Sequence, residues 1–565
     1  MCGILGVIGD VDDSKKALDL IKHRGPDNIG EFRAENIFLG HVRLAIIDLD
    51  KRSNQPMHLN HLTIIFNGEI YNYKSIKNNL LAKKYTFKTA SDTEILLALY
   101  DYYGTKMLNE IDGMFAFCIW DNKKKIMFCA RDRFGEKPLF YTKTTNKFIV
   151  ASEIKSILSI TNGAKLNRKA IELYLEYKKH IDEPETFFDG VYTLNAGHYM
   201  ITYNNLEYDI YNYYNLNENI TNKNKIKFLD ACEEFKSLLI TSTKNKLVAD
   251  VEVASSLSGG LDSSIIVGVT SKQLKLKTFS AINNEPNLDE SKWIDDVAAF
   301  NNVPSLKISN EFDDITNVIK EITYHQEYPV ISSSILMQWS VFKKAKQYNI
   351  KVMLDGQGAD EFLGGYKDFK YYAIWDLYNN FKIKDYLSER FYFKKHYGED
   401  EKLGLNHLFD PLYKLVNYKR KELLIADNFK KRMIYSIKYE LPNLLRYADR
   451  NSMAHGIEVR LPYLSRELVE FTLSLPNEFL YKYGTTKYIL RESMKEYIPK
   501  SVLLRNDKIG FKGPSEHALL KNIYNMYEIN IDEIFNKFSI KKSESAFHNF
   551  SFYIFILTFE NKIIG

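Results

Sequence analysis

The stretch Ser258-Gly259-Gly260-Leu261-Asp262-Ser263-Ser264 determines how the C-terminal part of this chain is interpreted. It follows the β-branched run VEVASSLS (residues 251–258) and opens a helix-forming segment. Two adjacent glycines let the backbone reach positive φ and approach an anion closely. The free N–H groups and positive dipole of a helix N-terminus favour a phosphate there. Strand, turn and helix in direct succession therefore predict a phosphate-binding loop, the alternative being a plain serine-capped turn.

The side chains of this loop also suit a nucleotide. The hydroxyls of Ser258 and Ser263 add hydrogen-bond donors, and Asp262 is positioned to hold Mg²⁺ against phosphates. The loop is not of the Walker type, because no Gly-Lys-Ser/Thr closes it. SGGLDSS (258–264) also resembles the pyrophosphate loop of the adenylating ligases that release AMP and pyrophosphate, and this resemblance implies ATP as a substrate, with Mg²⁺ bound to it.

Around the loop, strands and helices alternate. Helical patterns at residues 228–247 and 291–301 separate strand-like runs at 251–258, 277–282 and 351–356, which predicts a doubly wound parallel sheet. Beyond Tyr366 the pattern is mostly helical and rich in aromatic residues. We therefore predict an α/β adenylating-type domain with a helical C-terminal part over residues 211–565.

The first 210 residues have a different pattern. Short runs rich in Ile, Phe and Tyr, bounded by turn residues, predict strands at residues 3–9, 61–73, 113–121, 124–134 and 137–143. Helical spacing occurs at residues 14–22 and 91–104, where Ser91 or Asp92 can cap and Gly104 can end the helix. This predicts an α+β layered domain over residues 1–210. The polar stretch 216–227 is a candidate linker, although ordered loops share its composition.

Composition excludes several classes of protein. Hydrophobic residues make up 45% and charged residues 26%, as in folded globular chains, and a net charge of +5 over 565 residues does not favour nucleic acid. Cys118 and Cys129 lie in apolar runs and predict buried thiols. The apolar stretch 549–559 is shorter than the roughly 20 residues that span a bilayer and predicts a buried element. We expect a cytoplasmic protein with no membrane partner.

Cys2 follows the initiator methionine, and this position has a chemical consequence. Removal of Met1 would leave a thiol and a free α-amine on one residue, a nucleophile with its own base. Asn67 and Gly68 offer an amide and an open backbone N–H for an oxyanion, at the end of the TIIF strand. Arg43 can pair with the carboxylate of an amino-acid substrate, and Asp92, assisted by Glu69, can pair with its ammonium.

Each of these residues also has an ordinary interpretation. Arg43 could sit in a surface ion pair, Asp92 could cap a helix, and Asn67-Gly68 could form a hairpin turn. The combination is more specific than any member alone.

The N-terminal part resembles the class II glutamine amidotransferases, which are N-terminal-nucleophile hydrolases with an αββα sandwich. The matching motifs, in the family's order, are MCGI, RGPD (24–27), Gln55-Pro56, NGEIYN (67–72), SDTE (91–94), DGMFAF (112–117), RDRFGEKPLFY (131–141) and SEIK (152–155). The resemblance implies an oxyanion hole at Asn67 and Gly68. It also implies a glutamine pocket lined by Arg43, Leu44, Ala45, Ile46, Ile47, Asn67, Gly68, Glu69 and Asp92.

Together with the 258–264 loop, nearly the whole chain resembles glutamine-hydrolysing asparagine synthetase. Further matches are GADEFLGGY (358–366), ADRNSMAHGIEVRLPYL (448–464), KYILRE (487–492) and NDKIGF (506–511). The resemblance implies ATP contacts at Leu257, Ala281, Asp355 and Gly356, and Mg²⁺ at Asp262 and Asp360. It also implies that Lys508 stabilises charge on the adenylate, and that the enzyme forms a homodimer. Lys487 and Arg460 are further basic candidates, with helix-surface charges as the alternative.

One departure from the family pattern bears on the substrate. The usual Ser-Gly-Glu-Gly loop reads Asp355-Gly356-Gln357-Gly358 here, and an amide cannot carry charge or take a proton as glutamate does. A second departure replaces an aspartate by Ser465 in Pro462-Tyr463-Leu464-Ser465. The leading hypothesis is amidation of aspartate, with another small carboxylate or a sugar acid as the alternative. A catalytically silent homologue would need a damaged site, which these residues do not indicate.

Overall fold

The computed structural model of the protein describes residues 2–219, 225–283, 285, 288–309, 312, 314–397, 426, 428–505, 513, 515–516, 519–520 and 531–564. Within these ranges, the N-terminal part contains two antiparallel six-stranded sheets, and the C-terminal part contains a parallel five-stranded sheet. The predicted combination of a layered α+β domain and a doubly wound domain is therefore confirmed.

Strands are numbered along the chain. The first sheet has the spatial order β10 (Tyr192–Thr193), β8 (Phe140–Lys143), β9 (Lys147–Ala151), β1 (Gly3–Gly9), β3 (Ile37–Arg43) and β2 (Asn28–Ala34). The second has the order β12 (Tyr208–Asn212), β11 (His198–Tyr203), β7 (Ile126–Arg131), β6 (Gly113–Asp121), β5 (Leu62–Ile70) and β4 (Met57–Leu59). The helices of this part are Ser14–Asp19, Tyr73–Ala82, Asp92–Tyr103, Ile154–Ile160 and Arg168–Tyr177.

The two antiparallel sheets pack face to face with helices outside them. Ile4, Ile65, Cys118 and Trp120 belong to the apolar core between the sheets, where side chains of both inner faces meet. The helices Tyr73–Ala82 and Asp92–Tyr103 cover the outer face of the second sheet. Helices at 14–19, 154–160 and 168–177 cover the first. These four layers form the expected αββα sandwich, because each sheet must bury both of its apolar faces.

The cysteines and the capping residues follow the sequence-based expectations. Cys118 and Cys129 are fully buried free thiols on directly opposed positions of β6 and β7, with 3.2 Å between their sulfurs. Ser91 is the N-cap of the helix Asp92–Tyr103, since its hydroxyl accepts a hydrogen bond from the N–H of Thr93 at 3.1 Å. This cap fixes Asp92 at the first helical position.

The parallel sheet of the C-terminal part has the order β15 (Ser305–Ile308), β14 (Thr278–Ala281), β13 (Val253–Ser256), β16 (Val352–Leu354) and β17 (Glu458–Arg460). A two-stranded hairpin pairs Tyr481–Lys482 with Thr485–Thr486. The described helices of this part are Leu216–Asn219, Phe228–Asn245, Leu261–Ser271, Ser291–Asn301, Ile315–Gln326, Ser334–Gln347, Ala359–Leu363, Phe369–Asn379, Ile383–Tyr397, Phe429–Tyr435, Leu441–Ala454, Arg466–Ser474, Asn477–Leu480, Tyr488–Met494, Lys500–Leu503, Ile531–Lys537 and Ala546–Phe559.

The order of the parallel strands fixes where a ligand can bind. From β13 the chain winds to β14 and β15 on one side, and then returns to β16 on the other side of β13. The connections therefore leave β13 and β16 in opposite directions, which opens a crevice at their carboxyl ends. The 258–264 loop follows β13 and the Asp355–Gly358 loop follows β16, so both predicted loops border that crevice.

Three details differ from, or refine, the sequence-based expectations. Asn67 and Gly68 lie inside β5, which pairs with β6 through Ile70, so they neither end the strand nor form a hairpin turn. The predicted domain boundary at residue 210 falls inside β12. The apolar stretch 549–559 belongs to the helix Ala546–Phe559, which is mostly buried and packs into the core under the first N-terminal sheet. None of the described helices is both long and apolar enough to cross a lipid bilayer.

Candidate functional site

Cys2 lies at the edge of a cleft in the N-terminal domain, directly beside Asn67. The backbone N–H of Cys2 donates to Oδ1 of Asn67 at 3.0 Å, and both residues are buried. This bond points the amide oxygen of Asn67 toward Cys2, and it leaves Nδ2 of Asn67 buried without a hydrogen-bond partner among the described residues. A buried, unpaired donor next to a nucleophile is the arrangement that an oxyanion hole requires.

Gly68 has a steric reason to be glycine. It has a φ of +154°, and a Cβ atom at this position would lie 2.1 Å from the carbonyl oxygen of Met114 on β6. No side chain fits that space without moving the strand. Gly68 also lines the cleft next to Cys2.

The cleft brings together most of the residues predicted to bind glutamine. It is lined by Cys2, Arg43, Leu44, Ile46, Ile47, Ser53, Gln55, Phe66, Gly68, Glu69, Ser91, Asp92 and Thr93. Ala45 and Asn67 are not part of this lining. The N–H of Ala45 donates to Oδ2 of Asp27 at 2.8 Å. The cleft lining also contains five residues that the sequence did not assign to the glutamine pocket: Ser53, Gln55, Phe66, Ser91 and Thr93.

Arg43 is engaged within its own loop. Its Nη1 donates to the carbonyl of Asp50 at 2.9 Å and to Oδ1 of Asn54 at 2.8 Å, and its Nη2 donates to the carbonyl of Asp48 at 2.5 Å. The surface ion pair considered as an alternative is wrong for Arg43, because the side chain is buried and these partners are neutral oxygens.

The acidic residues of the cleft are held in a weakly solvated environment. Burial raises the pKa of Asp92 to about 6, although Oδ2 accepts a hydrogen bond from the N–H of Ile70 at 3.0 Å. Burial, reinforced by Glu458 and Asp92, raises the pKa of Glu69 well above its ordinary value. A buried carboxyl group with a raised pKa is stabilised in its ionised form by a nearby cation such as an ammonium.

Arg460 approaches this cleft from the C-terminal domain. It lies on β17 and is fully buried, so the helix-surface interpretation is wrong. Its Nη2 lies 3.6 Å from Oε1 of Glu69, its Nε donates to Glu458 at 2.5 Å, and its Nη1 donates to the carbonyl of Lys246 at 2.8 Å. The C-terminal domain thus supplies the cation that faces the acids of the glutamine cleft.

The 258–264 loop has the shape expected for an anion cradle. Gly259 has a φ of +74°, and the hydroxyls of Ser258 and Ser263 lie 2.9 Å apart, which closes the turn. The helix Leu261–Ser271 begins inside this stretch, so the N–H groups of its first turn lie at the crevice. Gly356 packs so closely that a Cβ there would lie 2.8 Å from the backbone nitrogen of Ser263.

The remaining predicted ATP contacts follow the same sheet edge. Leu257, Ala281 and Asp355 come at the carboxyl ends of the neighbouring strands β13, β14 and β16. Burial raises the pKa of Asp355 to about 6. Arg505, which the sequence did not single out, donates to the carbonyl of Gly259 at 3.2 Å and to Glu290 at 2.8 Å. Lys508 lies outside the described residues.

The two aspartates predicted to bind Mg²⁺ converge on one cation. Nζ of Lys487 lies 2.7 Å from Oδ1 of Asp262 and 2.7 Å from Oδ1 of Asp360. Lys487 is buried, so a helix-surface role for it is wrong. The described residues contain no group of three or more His, Cys, Asp or Glu side chains able to hold a metal. Two carboxylates meeting at a point nonetheless fit Mg²⁺, which commonly uses one or two carboxylates plus substrate phosphates.

Gln357 and Glu361 complete this side of the crevice. Oε1 of Gln357 is buried and has no hydrogen-bond partner among the described residues. Glu361 accepts a hydrogen bond from the hydroxyl of Tyr366, and burial, with Asp360 adding to it, raises the pKa of Glu361 to about 7. A pKa near neutrality suits Glu361 to exchange a proton, and it follows Gln357 by four positions in the chain.

A separate cavity of about 440 Å³ lies between the two domains. The Arg131–Phe140 segment lines it on the N-terminal side, and residues of the π-helical turn Ser436–Glu440 and the helix Leu441–Ala454 line it on the other. None of the predicted site residues contributes to its lining.

The fold and the two clefts define a class: a glutamine amidotransferase in which an N-terminal-nucleophile domain is joined to an ATP-dependent synthase domain. Residues 1–214 match the family described as glutamine amidotransferase domain, and residues 234–537 match the family described as asparagine synthase. The chain belongs to the asparagine synthase family.

Individual relatives agree with this family and differ in their names. The chain is 30% identical over 574 residues to asparagine synthetase [glutamine-hydrolyzing] 1 of Bacillus subtilis, covering 94% of this chain and 90% of that one. It is also 28% identical to amidase chry2 of Gibberella zeae, and the match covers 89% of this chain and 85% of that one. Among solved structures, glutamine PRPP amidotransferase of B. subtilis is 16% identical. The match covers 54% of this chain and 65% of that one, with a TM-score of 0.30.

Proposed function

We propose that the protein is a glutamine-dependent asparagine synthetase that uses ATP. Glutamine is hydrolysed at Cys2, aspartate is adenylated on its β-carboxylate, and the released ammonia displaces AMP to give asparagine. The observation that carries the proposal is that one chain contains both halves of this chemistry. Cys2 lies beside the amide donor of Asn67, which has no partner among the described residues. The 258–264 loop contributes Asp262, whose carboxylate converges with that of Asp360 on Lys487.

In the first half-reaction, Sγ of Cys2 attacks the side-chain carbonyl carbon of glutamine. The α-amine of Cys2, freed by removal of Met1, accepts the thiol proton and returns it to the leaving ammonia. Nδ2 of Asn67 and the N–H of Gly68 stabilise the negative oxygen of the tetrahedral intermediate. Water then cleaves the thioester and releases glutamate.

Glutamine is held by both negatively and positively charged side chains. Asp92 and Glu69 accept hydrogen bonds from its ammonium. This positive charge lowers their pKa values and so offsets the effect of burial. Arg43 binds its carboxylate by exchanging one of the loop carbonyls, such as that of Asp48, for a carboxylate oxygen. The same exchange would couple glutamine binding to the conformation of the 43–54 loop.

In the second half-reaction, a carboxylate oxygen of aspartate attacks the α-phosphorus of ATP, and pyrophosphate leaves. The N–H groups around residues 258–264 bind the pyrophosphate. When bound, Mg²⁺ at Asp262 and Asp360 would offset the repulsion between carboxylate and phosphates. Lys487 then has phosphate oxygens as alternative partners, and Lys508 remains the predicted charge-stabilising lysine. Ammonia finally attacks the acyl carbon, and AMP leaves.

A second candidate differs only in the acceptor, and Gln357 favours it. The family glutamate could accept a proton from the attacking ammonia, and the amide of Gln357 cannot. Glu361, whose pKa burial raises to about 7, is a carboxyl group four positions along the chain that could do so instead. An enzyme that amidates another small carboxylate or a sugar acid would keep the glutamine and ATP sites and differ at Gln357. Relatives named amidase accompany the synthetases among the matches.

An acceptor screen distinguishes the two candidates. Pyrophosphate release is followed with glutamine, ATP and Mg²⁺ supplied, first with aspartate and then with a panel of small and sugar carboxylates. Asparagine formed in step with pyrophosphate supports the first candidate. Release that needs a different acceptor supports the second, and no release with any acceptor, alongside intact glutaminase, contradicts the proposed ligase.

A further inference from the structure

The backbone carbonyl of the nucleophile residue is held by an arginine. Nε of Arg24 donates to the carbonyl oxygen of Cys2 at 3.0 Å, and Arg24 is fully buried on the short turn Lys22–Arg24. The carbonyl and the thiol belong to the same residue, so the orientation of this peptide determines where Sγ points. Arg24 therefore fixes one end of the nucleophile, and Asn67 fixes the other through the backbone nitrogen.

The rest of the Arg24 guanidinium binds the other domain. Nη1 donates to Oδ2 of Asp449 at 2.9 Å and Nη2 donates to Oδ1 of the same residue at 3.1 Å, a bidentate pair. Asp449 is buried on the helix Leu441–Ala454 of the synthase domain. Bidentate pairing fixes the plane of the guanidinium, and hence the direction of Nε.

The second partner of Arg24 cannot replace Asp449. Oε1 of Glu153 accepts from Nη1 of Arg24 at 3.0 Å, but the same oxygen also lies 2.9 Å from Nη1 of Arg450 and 3.1 Å from Nε2 of His23. Glu153 is shared among several groups and contacts only one nitrogen of Arg24. Without Asp449, Nη2 of a buried guanidinium would lose its partner, and the group would reorient toward Glu153.

We propose that Asp449 is a positioning residue of the glutaminase site, acting from the synthase domain through Arg24 on the Cys2 peptide. The inference rests on the proposed role of Cys2 as nucleophile. Its consequence is that the glutaminase is fully aligned only when the synthase domain is docked, so that movement of the helix Leu441–Ala454 would change the rate of ammonia release.

The test compares the full-length Asp449→Asn variant with wild type. Glutamate release from glutamine is measured without ATP or acceptor, so the identity of the acceptor does not matter. We expect kcat to fall about tenfold while KM stays within about twofold, because small misplacements of a reacting group affect the transition state strongly. The alkylation rate of Cys2 by iodoacetamide, read by peptide mass spectrometry, should fall in parallel. In a separate assay, with the acceptor that supports wild-type activity, ammonia-dependent pyrophosphate release should stay within about twofold.

Tyr447→Phe is the matched control on the same helix. The hydroxyl of Tyr447 contacts Nδ1 of His180 in the N-terminal domain at 3.0 Å, away from Cys2. This variant should lose an interdomain contact without losing glutaminase or slowing Cys2 alkylation. An equal loss in both variants would reduce Asp449 to a general interface residue and overturn the inference.

Asp449→Glu keeps the charge but displaces it by one methylene group, and its kcat should lie between those of wild type and Asp449→Asn. If Asp449→Asn does not fold, Asp449→Glu decides alone, and wild-type kcat in it overturns the inference. Wild-type kcat in a folded Asp449→Asn does the same. Absence of glutaminase in the wild-type chain would instead remove the proposed function on which the inference depends.

Discussion

Replacing Asn67 by alanine should remove most of the glutaminase rate while leaving substrate binding nearly intact. Nδ2 of Asn67 has no partner among the described residues and lies beside Cys2, so the donor is available for the oxyanion that forms only in the transition state. Deleting one such donor typically lowers kcat by about 10²–10³-fold, or about 2.7–4 kcal/mol. The ground-state carbonyl gains less from the donor, so KM should change by less than about fivefold.

The same substitution has a smaller structural effect that must be separated from the catalytic one. It deletes the bond between the N–H of Cys2 and Oδ1 of Asn67, which should lower the free energy of unfolding by about 0.5–1.5 kcal/mol. Steady-state glutamate release gives kcat and KM, and thermal unfolding gives the stability. Asn72→Ala is the control, since that nearby amide binds the backbone of Glu110 and Asp112 instead. A kcat within tenfold of wild type for Asn67→Ala, or an equal loss in Asn72→Ala, would refute the oxyanion role.

Other expected outcomes test separate parts of the structure. Lys487→Met should abolish pyrophosphate release and retain glutaminase activity. It should also lower the free energy of unfolding by about 3–5 kcal/mol, because Asp262 and Asp360 lose their buried cation. Mg²⁺ should raise the thermal midpoint of this variant more than that of wild type, and equal shifts would argue against a metal at these aspartates. The kcat/KM for glutamine should fall as the pH drops below about 6, because protonated Asp92 cannot pair with an ammonium, and Asp92→Asn should remove that acid limb from the pH profile. Gly68→Ala should destabilise the protein by about 1–3 kcal/mol, as its methyl group would meet the carbonyl of Met114, and unchanged thermal unfolding would contradict this. Gln357→Glu should raise the aspartate-dependent rate if aspartate is the acceptor, and a decrease with every acceptor tested would assign the amide itself a role.

Regular elements with strong local signals could be predicted closely from sequence. The strands Gly3–Gly9 and Gly113–Asp121 and the helix Ser291–Asn301 have the predicted bounds. Their apolar runs are long, and turn residues or caps mark their ends. The three-residue strand β17 was missed, because Glu458-Val459-Arg460 contains two charges whose burial depends on partners elsewhere in the chain.

In the candidate site, too, residues with local sequence signatures could be predicted, and residues whose roles depend on distant partners could not. Cys2, Asn67 and the 258–264 loop have local signatures, so the sequence indicated both clefts. The roles of Arg24 and Asp449 could not be predicted, since the pair joins positions 425 residues apart in the chain. Lys487 and Arg460 were basic candidates for which helix-surface charges stayed open as the alternative for the same reason: their buried partners, Asp262 and Glu69, come from distant segments.

The central claim is that two distinct sites share one ammonia molecule, and Cys2→Ala tests it most directly. With the acceptor that supports wild-type activity, pyrophosphate release is measured once with glutamine and once with ammonium chloride as nitrogen donor. We expect the variant to lose glutamine-dependent release and to retain wild-type rates with ammonium. Loss of both activities in a folded variant, or retention of the glutamine-dependent one, would contradict the two-site arrangement.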